Sequence, residues 1–151
     1  MAEFIDAYEK MIRNEGGYVN HKVKGDRGGQ TYAGIARAFH SDWQGWQLID
    51  AGDLESDQLI TFVMAFYREN FWDRLKASAI NSQEIAESLF DFSVNTGVRT
   101  AVKLAQIVVG ANPHGIIGVN TLKKLNATEE QIFVPICPTS PNSVILLFTI
   151  I

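Results

Sequence analysis

The sequence has a single cysteine in 151 residues, Cys137, so an internal disulfide framework is excluded. It has no surplus of basic charge. Thirteen lysines and arginines stand against 17 acidic residues, for a net charge of -4. Nucleic-acid binders show the opposite balance, and no nucleic-acid partner is expected. Long apolar runs are missing as well: none reaches the ~18 residues that a membrane span needs. Proline is scarce and uneven, with three of the four falling in the last stretch. The three histidines, His21, His40 and His114, are scattered without metal-ligand spacing, so no metal and no cofactor is assigned.

What remains is an ordinary globular composition, 46% hydrophobic and 20% charged. A chain of this size buries roughly 70% of its unfolded surface, enough for one core without staples, and a monomer is expected. The opening MAEFIDAYEKMIRNE mixes acidic residues with apolar ones and does not read as a secretory signal. A protein with a substrate outside the cytoplasm would then need another way out.

Residues 3–15 carry Phe4, Ile5, Tyr8, Met11 and Ile12 on one helical face, and Gly16 and Gly17 end that helix. Residues 18–35 are rich in glycine and polar side chains, and read as irregular loop with one short hairpin. A tryptophan-bearing connector (42–52) leads to a helix over 56–72 with Leu59, Ile60, Val63, Met64, Tyr67 and Phe71 on its inner stripe. Asn81 and Ser82 are caps for a further helix. AVKLAQIVVG is apolar nearly all round, which predicts the central buried helix, and TLKKL forms a short element after the turn at 113–118. The final PICPTSPNSVILLFTII reads as a tail outside the fold. The expected fold is mainly α (α+β), with a small β-hairpin near the N-terminus.

Glu15 follows Met11 by four residues and Ile12 by three, so it continues the apolar stripe. It also stands at the negative pole of its helix, where an anion is disfavoured by ~0.3–1 kcal/mol. Partial desolvation acts in the same direction. A carboxyl that stays protonated near neutral pH, and so serves as a general acid, wants such a place. A frayed helix end with an exposed glutamate is the bland alternative. Beyond it come Asp26 and Thr31 within GDRGGQT, where Gly28 and Gly29 would let backbone approach a sugar closely. Glycosidic cleavage with inversion needs an acid and a second, water-positioning group ~6.5–9.5 Å apart.

NEGGYVNHKVKGDRGGQTYAGIA resembles the signature of the family 108 glycoside hydrolases, N-acetylmuramidases related to the phage-type lysozymes. NFW at 70–72, LFDFSVNTG at 89–97 and HGIIGVNTLKKL at 114–125 are similar to further pieces of that family's pattern, in the same order. The last is similar to its peptidoglycan-binding-like segment. The chain departs from the pattern in a longer segment between Tyr18 and Asp26, in Arg27 where proline is usual, and in His114 where aspartate is usual.

The resemblance implies a lysozyme-like domain over 1–110, a peptidoglycan-binding-like segment over 111–134 packed on it, and a tail of unassigned role over 135–151. It implies Glu15 as catalytic acid, with Asp26 and Thr31 positioning water. Tyr18, Tyr32 and Trp72 are candidates to stack on sugar faces or to fill the core, and Asp91 and Asn95 to line a cleft or pack a helix end. The implied substrate is the peptidoglycan glycan strand, reached on the cell-wall side through a holin or a dedicated export system. Two alternatives stay open: a wall-binding scaffold that does not cut, and a lytic transglycosylase.

Overall fold

A computed structural model of the chain describes residues 1–22 and 29–133. Asp26, Cys137 and the 135–151 tail therefore lie outside the described residues. The elements run α1 (Phe4–Asn14), β1 (Asn20–Lys22), β2 (Gln30–Tyr32), β3 (Ile35–Ala36), α2 (Gly45–Asp50) and α3 (Asp57–Tyr67). A π-helical turn (Arg68–Trp72) and a 3-10 turn (Ala77–Ala79) follow, then α4 (Gln83–Thr96), α5 (Val98–Val108), α6 (Val119–Asn126) and α7 (Glu130–Phe133). No helix among the described residues is long and apolar enough to cross a membrane.

The described residues form two compact units, one within 8–67 and one of residues 1–7 with 68–133. In the 8–67 unit the three strands make one antiparallel sheet in the order β1-β2-β3, with Thr31 paired to His21 on one side and Ala36 on the other. The expected hairpin is thus a three-stranded sheet. Its second turn, Ala33-Gly34, has φ of +48° and +82°, the two positive values of a type I′ turn, whose twist matches the strands it joins. Aromatic rings fill the core beside the sheet. Tyr32 lies parallel to Trp43 at 6.4 Å, and Trp43 meets Trp46 edge-on at 5.2 Å. The connector over 42–52 is not loop throughout: α2 buries Trp46 and Ile49. Arg37 closes its end with two 2.7 Å hydrogen bonds to Asp50, holding that carboxyl below the usual carboxylate range.

In the second unit, α4 is the central helix. It buries Ile85, Ala86, Leu89, Phe90 and Phe92, and packs against α5 and α7. Ser82 caps it as expected, its hydroxyl accepting from the Ile85 amide at 3.2 Å. The central place was expected of α5, but α5 is one-sided: Ala101, Val102 and Ala105 are buried while Ile107 is 50% exposed. Apolar residues on all sides of a helix do not by themselves provide neighbours on all sides. The π-helical turn also changes the expected stripe. Asp73 N–H reaches back five residues to the Arg68 carbonyl, and the buried residue is Trp72 rather than Phe71.

Candidate active site

Glu15 is the C-cap of α1, and the backbone after it forms a Schellman motif. Gly17 N–H donates to the Ile12 carbonyl at 2.8 Å and Gly16 N–H to that of Arg13 at 3.3 Å. Such a motif needs a left-handed residue after the cap, and Gly16 supplies it with φ of +89°. The chain therefore reverses immediately after Glu15, which is what the sequence Glu-Gly-Gly encodes. The residue is exposed. The burial expected from the apolar stripe stops at Ile12, because the helix ends before the stripe reaches Glu15.

The Glu15 side chain nevertheless has defined surroundings. A methyl group placed on Gly34 would lie 2.6 Å from Tyr67 Oη and 3.8 Å from Glu15 Oε2, so both oxygens flank the same glycine of the I′ turn. Tyr67 is the last residue of α3 and only 2% exposed. Its hydroxyl donates to the Ala33 carbonyl at 2.7 Å. Burial pushes this phenol above its ordinary range, and the charge of Glu15 adds to the effect. Tyr8, from α1, packs at 6.2 Å from the Tyr67 ring and shares a 2.8 Å hydrogen bond with the Tyr18 hydroxyl. Burial, and then the Tyr18 hydrogen bond, push Tyr8 upward too. All four tyrosines of the chain fall in the 8–67 unit, and the phenols whose acidity is displaced stay neutral at any working pH.

The other sequence candidates separate clearly. Thr31 sits mid-strand on β2, half-buried, in the same unit as Glu15. Tyr18 is 38% exposed and so can meet a ligand. Tyr32 and Trp72 fill the core instead: Tyr32 is 1% exposed with its hydroxyl on the Leu54 carbonyl, and Trp72 is fully buried with Nε1 on Ser78 Oγ at 2.8 Å. Trp72 stands edge-on to Phe4 and Phe90, each at 5.6 Å. Trp72, Asp91 and Asn95 belong to the second unit. Asn95 is exposed, and its Nδ2 donates to the Asp91 carbonyl one turn back, a helix-end role. Tyr67 and Gly34 are the residues sequence reasoning missed. Tyr67 stood on a helical stripe and read as core; only its partner 34 residues away reveals what its hydroxyl does. No cluster of potential metal ligands exists among the described residues.

A mainly α fold with a small antiparallel sheet, and a carboxyl at the end of the first helix beside that sheet, defines the lysozyme-like class. Within that class the chain belongs to the glycosyl hydrolase 108 family, whose model matches residues 8–97. It is also similar to the structure of Brucella abortus SagA, with 29% identity and a TM-score of 0.65, over 89% of this chain and 74% of that one. No curated protein matches. The family makes this chain a glycosidase that hydrolyses peptidoglycan.

Proposed function

We propose that the protein is an N-acetylmuramidase that hydrolyses the β-1,4 bond between N-acetylmuramic acid and N-acetylglucosamine, with Glu15 as general acid. Asp26 and Thr31 order the attacking water on the opposite face of the sugar, giving inversion in a single displacement. The observation that supports this reading is the placement of Glu15. A Schellman cap fixes its backbone, the residue is exposed and therefore open to a glycan, and its Oε2 lies with the Tyr67 hydroxyl beside Gly34 of the I′ turn. The leaving glycosidic oxygen takes its proton from this carboxyl as the bond to the anomeric carbon breaks. In the same displacement water attacks the anomeric carbon from the opposite face, supplies the new hydroxyl and passes its proton to the second carboxylate.

The chain reaches its substrate on the cell-wall side by holin-assisted release or dedicated export, acting as a monomer. Turbidity loss of purified peptidoglycan tests the chemistry. Glu15→Gln lowers the rate by ~10²–10⁴-fold while the variant still pellets with the wall. Equal clearing by both proteins overturns the assignment. Mass spectrometry of the released muropeptides reads reducing ends for hydrolysis; 1,6-anhydro ends would mean a transglycosylase.

A further inference from the structure

The I′ turn between β2 and β3 carries a strained residue. Ala33 has φ of +48°, a left-handed conformation that costs a non-glycine residue roughly 1–2 kcal/mol. Its N–H is tied to the Val19 carbonyl at 3.1 Å and its carbonyl takes the Tyr67 hydroxyl at 2.7 Å. The next residue, Gly34, leaves open the space into which Tyr67 Oη projects; a methyl there would stand at 2.6 Å, well inside contact distance. Strain held in place by two hydrogen bonds, next to a catalytic carboxyl, points to a use for the arrangement.

The use follows from counting protons. A phenol has one proton to give and lone pairs to receive with. Tyr67 gives its proton to Ala33, so toward Glu15 it presents only acceptor capacity. An acceptor beside a carboxyl favours the protonated acid, which can donate, and disfavours the carboxylate, which can only repel it. We infer that Tyr67 is a positioning residue for Glu15, its hydroxyl oxygen accepting from the protonated carboxyl and holding it in the proton-donating form. This deepens the proposed function and rests on Glu15 being the acid.

The ionisable groups that face Tyr67 fit this role. From α1 come Glu15 at its end and the Tyr8 phenol within it, with Tyr18 behind Tyr8 and Tyr32 on the neighbouring strand. The turn itself contributes backbone alone, since Ala33 and Gly34 have no ionisable side chains. Because Tyr67 is buried and pushed upward, it does not ionise and surrender its geometry within the working pH range. Its oxygen keeps the same character throughout.

The test is the pH profile of kcat on wall fragments for the native chain, Tyr67→Phe and Gly34→Ala, each checked for folding by circular dichroism. Tyr67→Phe removes the acceptor and Gly34→Ala drives it away. In both, the alkaline limb, where the acid loses its proton, moves to lower pH by about one unit, which reads as about tenfold lower kcat on that side with KM within about twofold. If Tyr67→Phe does not fold, Gly34→Ala reads the same displacement. A folded variant with a uniformly lower kcat and an unmoved limb overturns the inference and leaves a merely structural tyrosine. The two readings fail separately: an active Glu15→Gln sinks the assignment of the acid, whereas an inactive Glu15→Gln with an unmoved limb sinks only the role of Tyr67.

Discussion

Glu15 closes α1, and the residue after it decides where its carboxyl can go. At φ of +89° Gly16 occupies backbone space that side-chain-bearing residues rarely enter, yet an added Cβ would touch nothing within 4 Å. Replacing it therefore tests conformation alone. Gly16→Ala costs about 1 kcal/mol, which lowers Tm by about 3 °C for a chain of this length. Thermal unfolding followed by circular dichroism checks it, and an unchanged Tm would mean the cap can relax into another geometry. The same glycine explains why the carboxyl is solvent-accessible although it stands three and four residues beyond buried Ile12 and Met11. The helix stops, the chain turns, and the side chain leaves the stripe.

At the scale of elements, two short segments depend on single polar anchors. The I′ turn between β2 and β3 depends on Tyr67, as above. The turn before α6 depends on Gln106, a fully buried amide on α5. Its Nε2 donates to the Ile116 carbonyl and to Thr121 Oγ1, both at 3.0 Å, and its Oε1 accepts the Gly115 N–H at 2.9 Å. Every polar atom of that amide is satisfied, so it joins α5, the turn and α6 into one piece. Gln106→Leu keeps the volume but orphans a buried N–H, a carbonyl and a hydroxyl. The expected loss is about 3 kcal/mol in chemical denaturation. A loss below about 1 kcal/mol would show that water replaces the amide.

At the scale of the molecule, each unit has its own aromatic core: Tyr32, Trp43, Trp46 and Tyr67 in one, Phe4, Trp72 and Phe90 in the other. The whole chain carries -4, and peptidoglycan is itself anionic through the free carboxyls of its stem peptides. Encounter is therefore slowed by like charge at low salt. Raising ionic strength from ~10 mM to ~0.1 M shortens the screening length from ~30 Å to ~10 Å, and the initial rate of wall solubilisation rises. A rate that falls over this range would locate a basic surface that dominates the encounter despite the net charge.

The sequence by itself determined the parts that depend on neighbours in the chain. The period of apolar residues placed α1, α3 and α4 to within a few residues, Gly16 and Ser82 marked where helices end and begin, and the Glu-Gly-Gly-Tyr and Asn-Thr-Gly pieces led to the family. Only the tertiary structure decided which aromatic residues are core and which attend the carboxyl. Trp72 and Tyr67 are both aromatic residues of one expected helix, but one donates to Ser78 six residues on and the other to Ala33, 34 residues back across the sheet turn. Periodicity records which face of a helix is covered. It does not record what covers it, and the chemistry of a hydroxyl is set by its partner, which the folded chain brings from far away in sequence.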